Sequence, residues 1–349
     1  MGDGGMTRLY LIRHAEAEGN LYRIAHGHYD SLITERGYRQ IAALRDRFAS
    51  IPVDAVYASD LFRTRTTARA IYEPKGLPLH TTPAFREVGI GVWEGHTWQE
   101  LAMKEPEELH RFNRDMEHWH VEGAETVQGV LDRYIPALRE IGEKYDGKTV
   151  AVFSHGTVLR LVLGTLQGLS MEEINRTRHA DNTAVSLLEY ENGQFRVIYR
   201  DDNSHLLAAG LSTLARQTWW KDKRMAEQGE YYAPMTDEDR RTLTEHGADV
   251  PGDGEIIAVH YDDSVIGGLQ LLPDGVIGWY WLRPDYRGRR LGIPPLGQAV
   301  QYYRARGVES LCLHCDDAGL RPFFESLGFV PGQENEMVKY IGYRERETI

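Results

Sequence analysis

The sequence predicts an α/β domain on a mostly parallel sheet, three layers deep with a helical cap, followed by an α+β domain on a mixed sheet. Three observations carry that prediction. A length of 349 residues suits two cores rather than one. Up to about residue 206, short apolar runs alternate with stretches of helical period, the pattern of parallel strands joined by crossover helices. Beyond that point the alternation gives way to a polar stretch with two adjacent tryptophans, and then to several strands in succession.

Residues 6–206 form the first unit. "TRLYLIR" (7–13) reads as a buried strand. "TERGYRQIAALRDRFAS" (34–50) reads as a helix capped by Thr34, with Ile41, Leu44 and Phe48 on one face. "DAVYAS" (54–59) is a short strand followed by the helix "LFRTRTTARAIY". The span 96–146 is helical in pattern and reads as a cap over one end of the sheet. "KTVAVFS" (148–154) is a strand, "GTVLRLVLGTLQG" a helix, and residues 183–200 a hairpin turned by "ENG". Residues 207–230 read as a packed connector, with Trp219 and Trp220 available to seal an interdomain or dimer contact. In residues 231–349, strands fill 255–282 with turns at "DDS" and "PDG". A helix near 295–306, the strand "SLCLH", a helix and a last strand "ENEMVKYIGY" follow.

A net charge of −12 argues against a large basic face for nucleic acid or an anionic membrane, and leaves room for a local cationic pocket. No run has the length of a spanning helix or the layout of a secretory signal. Two cysteines, Cys312 and Cys315, make no disulfide framework, so a reducing cytoplasm is the expected compartment. On a strand they point to opposite faces, which argues against a zinc or redox pair. The opening "MGDGG" reads equally as a leader, a tag remnant or a native tail.

"YLIRHAEAEGN" (10–20) ends an apolar run on Arg13 and His14. Ligand groups gather beyond the carboxyl ends of strands in open α/β sheets. His155 follows a second strand, Arg63 opens the helix after a third, and Glu87 lies in "FREVGIGVWEG". Together they supply two imidazoles, two guanidiniums and a carboxylate. That set suits phosphoryl transfer. Guanidinium forks match phosphate oxygens, a neutral imidazole attacks phosphorus, and a carboxylic acid protonates the leaving alcohol. No metal motif is present, and none is needed.

These segments resemble the histidine phosphatase superfamily, in its phosphoglycerate mutase-like branch. "LIRHAEAEGN" is similar to its R-H-G-E-x-x-x-N signature, "HYDSLITERGYRQ" to D-x-P-L-T-x-x-G-x-x-Q, and "SDLFRTRTTA" to S-x-L-x-R-x-x-x-T-A. "REVGIGVWEG" and "SHG" complete the order. The resemblance implies His14 as nucleophile and Glu87 as proton donor. It implies Arg13, Asn20, Arg63, His155 and Gly156 around the phosphate. Ala15 stands where the pattern has Gly, which is tolerated outside a left-handed backbone. Four other histidines, His26, His28, His118 and His120, are expected at the substrate mouth rather than on a metal. Glu125 and Thr126 are expected near the site, and Trp93 and Trp98 in the core.

"WLRPDYRGRRLGIPPLGQAVQYYRARG" (281–307) runs from a strand through a Gly/Arg loop to a helix with Pro294 in its first turn. It resembles the acetyl-CoA motif of GNAT-type N-acetyltransferases, and "DDAGLRPFFESLGF" (316–329) resembles a later motif of that family. The resemblance implies acetyl-CoA contacts from Leu282, Arg287, Gly288, Arg289, Arg290, Leu291 and Gly292. Two departures bear on it: Arg290 replaces the first Gly, and Phe324 replaces the Tyr that protonates the thiolate, a step that a phenyl ring cannot perform.

The sequence therefore reads as a metal-independent phosphomonoesterase working through a phosphohistidine on a small phosphorylated metabolite, with a GNAT-like second domain. Alternatives are a bifunctional phosphatase/N-acetyltransferase, an acetyl-CoA-binding regulatory protein and a phosphoglycerate mutase-like phosphotransferase. Oligomerisation is left open, as is any binding of acetyl-CoA.

Overall fold

The computed structural model describes residues 5–217, 223–224 and 227–347. Most of the "MGDGG" opening lies outside these, as do Trp219 and Trp220 and the contact expected of them.

The first sheet comprises β1 (Thr7–Arg13), β2 (Ala55–Ser59), β3 (Leu79–Thr82), β4 (Thr149–Ser154), β5 (Val185–Glu191) and β6 (Gln194–Asp202), in the order β3-β2-β4-β1-β5-β6. The first four strands in that order run parallel, and the hairpin β5–β6 adds two antiparallel strands. Side chains alternate along a strand, so the sheet buries both faces. Leu9, Leu11, Val150 and Val152 meet the helices Val127–Lys144 and Gly156–Leu166, while Ile12, Ala151 and Phe153 meet Glu35–Phe48 and Phe62–Lys75. Three layers result.

The helical run read as one cap divides in two. Val127–Lys144 is a sheet-covering helix, burying Val130, Tyr134, Leu138 and Ile141 at the spacing of one helix face. Only Trp98–Lys104, Pro106–Arg114 and the loop after them form the cap.

The second sheet holds β7 (Tyr231–Pro234), β8 (Glu255–Tyr261), β9 (Ser264–Leu271), β10 (Val276–Leu282), β11 (Ser310–His314), β12 (Val330–Pro331) and β13 (Glu336–Tyr340), ordered β12-β13-β11-β10-β9-β8-β7. Only β10 and β11 run parallel, paired at Val276–Cys312 and Ile277–Leu313 before they part. One helix, Asp237–Glu245, stands between β7 and β8, in a stretch where sequence reading placed no element.

The two units share a core. Tyr22 and Ile24 of the first pack among Leu296, Val300 and Tyr303 of the second. Gly297 admits this approach, since a Cβ there would lie 2.4 Å from Tyr22 Cβ. Arg304 Nη2 donates to Glu18 Oε2 across the seam at 2.8 Å, with both side chains buried. Gln301 Nε2 donates to the Gly95 carbonyl, and Tyr343 Oη to that of Asp30.

Candidate active site

The register of β1 and β4 sets Arg13 beside Ser154, so His14 and His155 leave adjacent strands together. The His14 N–H donates to the Ser154 carbonyl at 3.0 Å, and the two imidazole centroids lie 5.3 Å apart. Nδ1 of His14 is 2.7 Å from the Ala15 carbonyl, which can only accept. The proton therefore sits on Nδ1, and Nε2 keeps its lone pair. Burial, with Arg63, Arg13 and His26 nearby, holds this imidazole well below the usual histidine range. It is neutral at neutral pH. Ala15 lies outside the left-handed region, and Thr67 Oγ1 accepts its N–H at 2.9 Å, tying the loop to the helix that carries Arg63.

Arg63 is fully buried. It donates to the carbonyls of Tyr29 and Gly27 and faces Asp30 at 3.4 Å. Arg13 donates to the Ala180 carbonyl and to Gln217 Oε1. Burial lowers both guanidinium values. Nε of each is buried with no partner among the described residues, and so is Nδ1 of His155, whose Nε2 meets Ser59 Oγ at 2.9 Å. Burial also depresses His155. Gly156 leaves room here: a Cβ would lie 3.0 Å from Arg13 Nε, so a side chain would press on the guanidinium. Glu87 accepts the N–H groups of Thr157 and Val158 at the start of the helix Gly156–Leu166, and that of Val88. Asn20 Oδ1 accepts the Ala17 N–H.

Arg13, His14, Asn20, Arg63, Glu87 and Gly156 line one cavity of about 510 Å³; His155, expected there too, is fully buried and is not part of its wall. His26 lines it too, 6.1 Å from the His14 ring; its Nε2 accepts the Gly19 N–H, which leaves the proton on Nδ1. Several expectations need correction. The walls of this cavity do not include His28, which is held by the Glu87 carbonyl, nor His118 and His120. His118 pairs with Asp115 at the surface, because short polar cap turns face water. Glu125 is taken up by Arg133 and the Gly89 N–H, and Thr126 caps a helix, so neither lines the cavity. Trp93 is core, but Trp98 is a cavity wall. Sequence reading missed Gln217 altogether: it reaches Arg13 from 204 residues away, and nothing local marks it.

Residues 9–203 match the family model of the histidine phosphatase superfamily (branch 1). The chain belongs to the histidine phosphatase superfamily. Among curated members it is 28% identical over 201 residues to phosphoserine phosphatase 1 of Hydrogenobacter thermophilus, an alignment covering 58% of this chain and 95% of that protein. It is 29% identical over 216 residues to the probable phosphoglycerate mutase GpmB of Salmonella choleraesuis, covering 60% and 100%. The solved structure of Bacillus stearothermophilus YhfR superposes with a TM-score of 0.56 at 28% identity, covering 57% and 99%. This kinship supports phosphatase-type activity.

Residues 214–329 match the acetyltransferase (GNAT) family model. GNAT domains typically bind acetyl-CoA. The loop keeps the backbone form of a phosphate cradle, since Gly288 and Arg290 are both left-handed (φ 73° and 64°), at a cost of about 1–2 kcal/mol for the arginine. The side chains do not follow. Arg287 Nε donates to the Leu282 carbonyl, and Arg289 lies over the rings of Tyr261 and Tyr286. Leu282 and Leu291 are buried in the core. Where β10 and β11 part, Tyr280 donates to the Gly292 carbonyl, and Phe323 and Phe324 join the same apolar cluster. A Cβ at Gly292 would lie 2.7 Å from the Tyr280 hydroxyl and 3.8 Å from the Phe323 ring, so these aromatics crowd the loop where the strands part. These residues do not fit bound acetyl-CoA, and no acyl transfer is derived from them.

Proposed function

We propose that this protein hydrolyses a small phosphomonoester through a phosphohistidine on His14. The observation that carries this reading is the pair of buried guanidinium donors without partners among the described residues, Arg13 Nε and Arg63 Nε, grouped with an imidazole whose Nε2 lone pair is free. An unpaired buried donor costs about 1–3 kcal/mol, and phosphoryl oxygens would satisfy both.

Nε2 of His14 attacks phosphorus, the bond to the leaving oxygen breaks, and Glu87 protonates that oxygen. Arg13, Arg63, Asn20 and His155 hold the equatorial oxygens as charge builds on them. Water then attacks phosphorus, Glu87 takes its proton, the P–N bond breaks, and inorganic phosphate departs. Glu87 is held by the backbone of Thr157 and Val158, on the helix that begins beside His155. It therefore moves with the phosphate pocket rather than independently of it. The phosphoserine phosphatase among the relatives supports hydrolysis over transfer.

The test is phosphate release from a broad phosphomonoester panel without added metal, wild type beside His14→Ala, with quenched reactions assayed for acid-labile phosphate on His14. Turnover should disappear in the variant while the fold is retained. Undiminished phosphate release by His14→Ala refutes the reading.

A further inference from the structure

The cavity that begins at His14 ends on the second domain. Gly229, Glu230, Tyr232 and Pro294 form its far wall. Between the two ends its surface is mostly apolar, with Ile24, Trp98, Ala102, Leu109 and Phe112 in the wall beside polar groups such as His110 and Asn113.

The Glu230 side chain is only 1% exposed. Its Oε2 pairs with Arg23 at 2.8 Å, and its Oε1 is buried with no partner among the described residues. The Tyr232 hydroxyl oxygen is buried and unpartnered as well. A carboxylate oxygen only accepts, whereas a phenol both donates and accepts. Both residues line the same wall, and a ligand group that carries a donor would complete the two atoms if it reached them. A hydroxyl satisfies both, giving its proton to Oε1 and receiving that of Tyr232. An amine donates to both. A methyl group leaves both desolvated and unmet.

We propose that the second domain acts as the specificity wall of the phosphatase pocket, and that Glu230 and Tyr232 select phosphomonoesters whose alcohol has an apolar body and a hydrogen-bond-donating far end. This rests on the phosphatase reading above. The carboxyl's own ionisation agrees: burial lifts it to about 7 despite Arg23, as expected of an acid with too few donors around it. The same arrangement explains why a GNAT fold without room for its usual cofactor is joined so tightly to this domain. Its first strand delivers Tyr232, and the start of its loop-following helix delivers Pro294, to a pocket that the first domain leaves open.

The experiment compares kcat/KM of the full chain on three series of linear phosphomonoesters of stepped chain length, ending in methyl, hydroxyl or amine. At the length that spans the cavity, a donor-ended substrate should exceed its methyl-ended counterpart by about tenfold or more, because the methyl end strands buried polar atoms. Whether hydroxyl or amine leads identifies the donor. Glu230→Leu should abolish or reverse that ratio. Tyr232→Phe, which removes a single oxygen, should reduce it, and serves if Glu230→Leu does not fold. Equal kcat/KM for donor-ended and methyl-ended substrates at every length, in protein that hydrolyses both, overturns the inference and leaves the phosphatase reading standing. Failure of the wild type to hydrolyse any of them, or hydrolysis that survives His14→Ala, brings down the phosphatase reading and this inference with it.

Discussion

Arg304→Met cuts the ion pair with Glu18 that spans the seam. Glu18 is 5% and Arg304 11% exposed by side chain, so solvent screens the pair little. The guanidinium also donates to the Ile341 carbonyl and lies over the Tyr343 ring. With Arg304 gone, the Glu18 carboxylate keeps the Leu32 N–H on Oε2 and has nothing on Oε1. Removing one member of a buried pair costs about 3–5 kcal/mol, because the remaining charge stays desolvated. At a urea slope of about 3 kcal/mol/M, the unfolding midpoint should fall by about 1–1.7 M. Adding Glu18→Gln removes the stranded charge and should restore most of the loss. The assay is urea denaturation of wild type, single variant and double variant, beside KM for a substrate long enough to reach Glu230. KM should rise in the single variant, since Glu18 opens the short helix Glu18–Tyr22 that runs directly into Arg23, the partner of Glu230. A midpoint within about 0.3 M of wild type, or a double variant no better than the single, refutes the reasoning.

Three further predictions concern protons and cofactor. His14, His26 and His155 are all held well below the ordinary histidine value, chiefly by burial, and His205 is lowered to about 4. The folded chain thus binds fewer protons than the unfolded one below pH 6.5, so the urea midpoint should fall as pH drops through that range, with Glu230 opposing from about pH 7 downward. The acid limb of kcat/KM, corrected for the substrate's own ionisation and measured on a short substrate, should lie well below 6.5, and a limb at or above 6.5 contradicts a neutral His14. Acetyl-CoA should produce neither calorimetric heat nor a thermal shift. Saturable binding would show that the Tyr280–Gly292 contact opens to admit it.

Much of the candidate site was legible because its parts are local. Arg13-His14 and Ser154-His155 each end an apolar strand, Arg63 opens a helix, and a parallel sheet brings strand carboxyl ends to one edge whatever lies between them. The unbroken apolar run Leu9, Tyr10, Leu11 and Ile12 reads as a buried strand, and its side chains divide between the two covered faces of the sheet. The histidines of the cap were less readable. His118 and His120 share the spacing of His26 and His28, yet of the four only His26 lines the cavity. Side-chain direction in a loop follows from packing and not from spacing.

The sequence by itself determined most of the elements, their layering and the candidate reacting groups, since strand period, helix caps and short motifs act over a few residues at a time. Only the tertiary structure decided what closes the pocket. Gln217 on Arg13, Glu230 on Arg23 and Arg304 on Glu18 join residues hundreds of positions apart, at contacts with no local pattern. That Tyr280 and Phe324 join the second domain's apolar core, while Glu230 and Tyr232 line the cavity that begins at His14, depends on how two cores meet around Tyr22 and Gly297. Steric fit between two packed surfaces sets that geometry, and no stretch of either surface encodes it alone.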